Sequence, residues 1–330
     1  MARPRVLTWH VHGSYLWYLS FCAVDWYLPV RAGRPSPWNG LVGARQWPAT
    51  MHEVADEEVD GLHVDCVLFQ SAAEWAEWGD RLPGVPRVFL EHDPPRQSPT
   101  DTRHPVEDPH VTVVHCTPFN RLMWDCGEVP TRVVEHGVRV PDGIEATGEL
   151  ARGLVVVNHL GRRGRRLGLD VFEDVRRQGV ALDLVGMGSE ELGGLGEVAP
   201  PDLPAFAAPY RFLFNPIRYT SLGLAVLEAM AVGVPVVGLA TTEHAVAIEN
   251  GLSGYVDTDV DRLVGHMRRL IDDPALAWKL GEGAREAARR RYGIERFARD
   301  WEAVFADVTG RVATAPSAAA TGAAPPTTTR

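Results

Sequence analysis

Glu228 is a lone carboxylate in a run, Leu222, Leu224, Ala225, Val226, Leu227, Ala229 and Met230, that is apolar almost all the way round. A helix of that composition is expected to be buried, and a buried carboxylate is costly unless hydrogen-bond donors meet it. Two readings follow. A ligand with adjacent hydroxyls, such as a ribose, would supply the donors; or Glu228 is structural, paired with Arg218 or with backbone donors. Just upstream, Thr220-Ser221-Leu222-Gly223-Leu224 opens the same helix. Thr220 or Ser221 suits the N-cap. The first-turn amides, with Gly223 permitting close approach, suit a phosphate; an ordinary capped helix start is the plain alternative. Amides for a diphosphate and then a carboxylate one to two turns on for a ribose together describe a nucleotide.

Other groups fall at the ends of strand-like runs. In Asn158–Gly168, Arg162, Arg163, Arg165 and Arg166 follow a strand and precede a helix, where they suit a diphosphate or form a solvated basic loop. Gly186-Met187-Gly188 is a glycine turn that would let a base or ribose lie against backbone. His10-Val11-His12-Gly13-Ser14 and Glu91-His92-Asp93 end two strands of the first half. A lone His is more often structural than catalytic, and two at strand ends shift that balance. No His, Asp or Glu spacing matches a metal motif. Asp257-Thr258-Asp259 superficially matches a metal–diphosphate motif, but reads better as a helix cap.

Positioning these groups requires two sheets. Strand-like and helix-like runs alternate throughout, which implies parallel α/β layers. Strands are expected at Arg5–Trp9, Val64–Phe69, Arg87–Leu90, Val111–His115 and Arg132–Glu135, and helices near Ser14–Ser20, Ala72–Trp78 and Pro118–Trp124. Residues 30–60, rich in Pro, Gly and charge, yield no clear element. The second series runs from a strand at Gly153–Asn158 through a helix at Leu167–Gln178, a strand at Ala181–Gly186, a short helix at 200–210, a strand at Arg211–Asn215, the Glu228 helix and a strand at Val234–Gly238 to helices at 243–250 and 260–272. This divides the chain into a first α/β domain (1–140), a linker (141–152), a second α/β domain (153–291), a closing helix (292–309) and a tail (310–330) without core-forming pattern, expected to be disordered. Phe297, Trp301, Val304, Phe305 and Val308 make one apolar stripe on the closing helix. Two doubly wound domains in tandem place a ligand cleft between the carboxyl ends of their sheets.

Composition narrows the function. With 330 residues, 45% hydrophobic and 23% charged, the chain is an ordinary globular protein. A net charge of −10 argues against a nucleic-acid partner. The single lysine, Lys279, lies in a mixed-charge helical run and reads as a surface residue, which disfavours Schiff-base chemistry. Cys22, Cys66, Cys116 and Cys126 form no zinc spacing and suit free thiols in a reducing compartment. Glu228, Gly233 and Pro235 interrupt the one stretch that resembles a membrane span. The N-terminus makes a poor signal peptide, and a cytoplasmic location is expected.

These segments resemble the large family 4 (group 1) of retaining nucleotide-sugar glycosyltransferases. The resemblance runs through VVNHLGRRGRRLGLDVF, DLVGMGSEE, EAMAVGVPVVG, TTEHAVAIENGLSGYVD and WEAVF, over about residues 153–309. It is looser in the first half, at His10–Gly13 and VFLEHD. It implies a GT-B architecture: two Rossmann-like domains facing a central cleft, with the final helix crossing back to the first. It implies donor binding by Gly13, Gly186, Gly188, Thr220, Ser221, Leu222, Gly223, Leu224 and Glu228, with Glu228 on the ribose. Catalytic roles fall on His92, Arg163 and Arg166, with no metal and no cofactor beyond the cosubstrate. The donor would be a UDP- or GDP-sugar, and the acceptor a hydroxylated small molecule, glycan or lipid-linked species. The family carries two Glu; the second matches Glu228 and the first, which contacts the donor sugar, falls on Thr220. That departure supports the alternative of a non-catalytic sugar-nucleotide binder.

Overall fold

The computed structural model describes residues 2–310, and the expected tail lies outside them apart from Gly310. Seven parallel strands form the first sheet: β1 (Arg5–Thr8), β2 (Asp25–Val30), β3 (Met51–Ala55), β4 (Cys66–Phe69), β5 (Arg87–Glu91), β6 (Val111–His115) and β7 (Thr131–Val133), in the order β3-β2-β1-β4-β5-β6-β7. Helices α1 (Gly13–Leu19), α2 (Ala72–Trp78) and α3 (Pro118–Met123) follow β1, β4 and β6. The second sheet has five parallel strands, β8 (Leu150–Val156), β9 (Leu182–Val185), β10 (Tyr210–Asn215), β11 (Val236–Leu239) and β12 (Gly254–Asp257), in the order β12-β11-β10-β8-β9. Its helices are α4 (Leu160–Leu167), α5 (Leu169–Arg177), α6 (Leu203–Ala207), α7 (Leu224–Val232), α8 (His244–Ala247), α9 (Val260–Asp272) and α10 (Pro274–Tyr292), and α11 (Ile294–Thr309) ends the described chain.

Strand order reverses between β1 and β4 in the first sheet and between β8 and β10 in the second. Ligands of open parallel sheets bind at such reversals, outside the carboxyl ends of the strands. The segments that follow β1, β8 and β10 there hold His10–Gly13, the arginines and Thr220.

β3 falls inside residues 30–60, where the sequence yields no element, and β2, which ends at Val30, was not expected either. β2 pairs with β1 and β3 despite Pro29, and β3 is the edge strand. Their pattern is broken by proline and by charged residues that tertiary partners satisfy: Arg31 pairs with Asp56, and Arg34 with Glu53. β8 begins at Leu150, inside the expected linker. The arginine segment is not a loop. It is the short helix α4, broken at Gly164 (φ 54°, ψ −137°), and α5 starts only after Gly168. Gly168 must be glycine: its φ is +84°, and a Cβ there would lie 1.9 Å from the Pro216 carbonyl oxygen.

One apolar cluster spans both sheets, from Tyr15, Leu16 and Leu19 of α1 through Phe297, Trp301 and Phe305 of α11 to Leu227 and Met230 of α7. α11 therefore lays its stripe on α1 and on the first sheet, where Phe305 meets Trp26 of β2, and the Trp301 indole donates to the Tyr15 hydroxyl (3.2 Å). Arg291 ties the halves together by pairing with Glu135 and, at 2.8 Å, with buried Glu243, whose other oxygen accepts from the Phe119 amide (3.3 Å).

Candidate active site

Arg166 of α4 lies within the electrostatic reach of Arg163 on the same helix and of Arg96, which follows β5 in the first half; Arg163 and Arg96 are exposed. Arg166, at the end of α4, is half-buried, and its NH1 donates to the Tyr219 carbonyl (3.3 Å). Burial lowers its guanidinium from the ordinary value, Arg163 and Arg96 lower it further, and Asp93 opposes them. Like charges acting on one another in this way carry a cost that an anion between them would relieve. The other members of the cluster diverge. Arg165 pairs with Asp170 (2.5 Å), as does Arg218. Arg162 is exposed.

Across the cleft, β5 delivers Glu91, His92 and Asp93. The Asp93 Oδ1 accepts from the Thr220 hydroxyl (3.2 Å), and its Oδ2 pairs with Arg96. His12, open to solvent on one edge yet enclosed by protein elsewhere, is held below its ordinary value by that enclosure, with Asp93 opposing and Arg96 and Arg163 adding. His92 is packed edge-on to His12, with ring centroids 4.4 Å apart, and to Tyr15. The Gln70 amide NH2 donates to the Thr8 hydroxyl and the Trp9 carbonyl (both 2.9 Å), so its oxygen is left to accept from His92 Nε2 at 3.1 Å. His92 Nδ1 faces the Cys116 thiol at 3.9 Å. Burial, with His12 and His136 adding, holds His92 well below the usual imidazole range and so neutral. Both of its nitrogens are thus turned to protein partners, and His12 stands nearer the charged groups. A cavity of about 410 Å³ opens beside them, lined by His12, Gln70, His92, Asp93, Arg96 and Trp124 among others.

The helix start differs from expectation. α7 begins at Leu224 with Gly223 in the N-cap position and no side chain capping it. Thr220 and Ser221 lie one turn too early to cap. They are used between the domains instead: Thr220 donates to Asp93, and the Asn120 amide donates to the Ser221 hydroxyl (3.3 Å). Leu222 is buried, and Gly223 and Leu224 are half-buried. Gly13 opens α1 so close to His10 that a Cβ would lie 2.9 Å from its Nε2. The turn at Gly186 and Gly188 braces the arginine helix: the Met187 amide donates to Asn158 Oδ1 (2.9 Å) and the His159 amide to the Met187 carbonyl (2.7 Å).

Glu228 is buried, 4% exposed, but not without donors. Neither Arg218 nor backbone supplies them. The Tyr18 hydroxyl of α1 donates to its Oε1 at 2.5 Å, and Arg45 NH2 stands 3.7 Å away. Arg45 also lies over the Trp17 ring and donates to the Pro200 carbonyl (3.3 Å). Burial pushes the Glu228 carboxyl up to about 7, against the pull of the Tyr18 hydrogen bond and Arg45. These partners are invisible in sequence, because Tyr18 is 210 positions away.

A family model described as glycosyl transferases group 1 matches residues 152–273. Residues 152–273 are thus similar to group 1 glycosyltransferases. The chain is 31% identical over 220 residues to the lipopolysaccharide core biosynthesis mannosyltransferase LpcC of Rhizobium leguminosarum bv. viciae, covering 56% of this chain and 61% of that protein. It is 32% identical over 90 residues to N-acetyl-alpha-D-glucosaminyl L-malate synthase of Bacillus anthracis, 27% of this chain and 24% of that one. The chain thus spans less than two thirds of the length of these curated relatives. Among solved structures, sucrose-phosphate synthase from Thermosynechococcus elongatus superposes with a TM-score of 0.71 at 16% identity, covering 93% of this chain and 99% of that chain. Anabaena HepE in complex with UDP and glucose gives 0.63 at 13% identity, covering 92% and 100%. The two facing sheets are therefore a GT-B fold.

In this glycosyltransferase fold, Tyr18, Arg45 and Asn120 were given no role from the sequence. Asp93 was visible beside His92, yet only the fold brings it to Thr220. Asp259 caps α9, accepting from the Asp261 (3.0 Å) and Arg262 (3.3 Å) amides. Lys279 is exposed, and the four cysteines are free. Among the described residues no group of three or more His, Cys, Asp or Glu is assembled as a metal site, and no helix is long and apolar enough to cross a membrane.

Proposed function

We propose that this chain is a retaining, metal-independent glycosyltransferase that moves a sugar from a nucleoside diphosphate-sugar to a hydroxyl acceptor. The observation that carries it is the position of Arg166, half-buried after β8 at the switch point of the second sheet, with Arg163 on its own helix and Arg96 of the first half close enough to act on its charge. Fixed positive charge there would stabilise the leaving diphosphate as its charge develops, which is where preorganised electrostatics count most. The guanidiniums supply the neutralisation that a divalent cation gives in other transferases. In this reading the bond from the anomeric carbon to the diphosphate oxygen breaks, the acceptor oxygen bonds to that carbon from the same face, and the departing diphosphate takes the acceptor's proton. His92 lines the acceptor side as a neutral ring.

Glu228 is the ribose ligand in this proposal, with the ribose hydroxyls replacing the Tyr18 hydroxyl. The cavity beside Asp93 suits one or two sugar rings of a hydroxylated acceptor. The HepE structure holds UDP and glucose, and the curated relative is named a mannosyltransferase. UDP- and GDP-sugars are accordingly the donors to try first.

The test is turnover of UDP-glucose, UDP-N-acetylglucosamine and GDP-mannose in excess chelator, read as release of UDP or GDP. Release with at least one donor is expected, and Lys279→Arg should leave it unchanged. Loss of turnover reversed by manganese would overturn metal independence. Donor binding without transfer or hydrolysis would favour a non-catalytic binder, the reading to which Thr220 and the internally satisfied Glu228 lend support.

A further inference from the structure

A transferred sugar presents hydroxyls that must be met at the cleft, and Thr220, between the arginine helix and α7, offers only a neutral hydroxyl. The opposite sheet brings a carboxylate to the same point. Asp93 Oδ1 lies 3.2 Å from the Thr220 oxygen, although the two residues are 127 positions apart. Its setting is rigid. The Trp124 indole donates to the Asp93 carbonyl (2.8 Å), the Asn120 amide donates to the His92 carbonyl (3.1 Å), and the Asp93 amide donates to Glu91 Oε1 (3.0 Å). The side chain is 24% exposed, so it is reachable from the cleft without being free to wander.

Charge and capacity agree with a ligand role. Arg96 occupies Oδ2, while Oδ1 carries only one neutral hydroxyl. A carboxylate offers about four acceptor positions, so Asp93 keeps capacity for incoming hydroxyl groups. It also lines the cavity and lies within the field of Arg166, which places it between the acceptor side and the diphosphate side.

We propose that Asp93 is the carboxylate that binds hydroxyls of the transferred sugar, reaching across from the first sheet to the place where Thr220 provides none. This rests on the cleft being a nucleotide-sugar site. It makes the first domain a determinant of donor-sugar choice, and it makes sugar binding favour the closed arrangement, because the group that holds the sugar and the group that holds the nucleotide sit on different sheets.

The full chain is assayed with UDP-glucose, UDP-N-acetylglucosamine and GDP-mannose, with UDP and GDP as sugar-free ligands. Asp93→Asn keeps the side-chain shape and an oxygen for Thr220. It should lower kcat/KM for the best donor by about ten- to a hundredfold, the scale of one charge-assisted hydrogen bond, while affinity for UDP and GDP stays within about twofold of the parent. Asp93→Ala with Thr220→Glu, which moves the carboxylate to the other side of the cleft, should recover about tenfold over Asp93→Ala alone. Unchanged transfer by Asp93→Asn, equal loss of sugar-free and sugar-bearing ligands, or no recovery in the folded double variant would each overturn the assignment. A parent chain that binds none of the five ligands would overturn the nucleotide-sugar reading, and this inference with it.

Discussion

Two carboxylates flank the same cleft in opposite conditions. Glu228 is sealed, held by Tyr18 with Arg45 close by, and burial raises its proton affinity. Asp93 is reachable, shared between Arg96 and a neutral hydroxyl, and its charge also acts on Arg166 of the opposite half. In the first region a protein hydroxyl holds the place that the proposal gives to the ribose. The second keeps acceptor capacity on the side of the cleft. The difference teaches that burial alone does not say whether a carboxylate awaits a ligand; its present partners and its access to the cleft must be read with it.

The largest expected effect tests the open region. Arg166→Ala should lower kcat by about a hundred- to a thousandfold, the usual result of removing one preorganised donor from a developing anion. A variant that folds and turns over like the parent would erase the distinction between the two regions. Glu228→Gln tests the sealed region, and its effects should have opposite signs. The folded carboxyl titrates at about 7, against an ordinary value of 4.5. The folded state therefore keeps its proton to higher pH than the unfolded chain, and stability falls as pH rises from 4.5 to about 7. That loss is on the order of 3 kcal/mol once complete. Gln escapes it, so in urea unfolding the variant should be more stable than the parent at pH 8, with the gap closing near pH 5. The gain will be below the full figure because Arg45 loses its counter-charge. Donor affinity should meanwhile weaken by about 1–3 kcal/mol if ribose replaces Tyr18 on this acid. The smallest effect is that of Tyr18→Phe, which deletes one hydrogen bond and should cost about 1 kcal/mol of stability. Because it frees Glu228, calorimetry should show UDP or GDP binding at least as tightly as to the parent. Weaker binding would place Tyr18 itself in the donor site.

The second sheet was largely legible in the sequence. GLVVVN, ALDLVG, RFLFN and VPVVG are short apolar runs between turn residues, and buried parallel strands read that way. The first half was less so. β2 carries Pro29, and β3 carries His52 and Glu53 on an edge, so neither run has the pattern of a central strand. At the site, the arginine cluster could be read as an anion site, but not divided. Only the fold shows that Arg165 is spent on Asp170 while Arg166 turns inward. The N-cap assignment failed because Thr220 and Ser221 found better partners across the cleft in Asp93 and Asn120.

The sequence alone determined the alternation of strand and helix, the burial of the Glu228 helix, the glycine turns and the stock of arginines, because each depends on neighbours a few positions away. The tertiary structure decided which acid is satisfied and which is open. That follows from contacts such as Tyr18–Glu228 and Asp93–Thr220, made between residues 210 and 127 positions apart. Hydrogen bonds and desolvation act over ångströms in space, and no local pattern in the chain records who the distant partner will be.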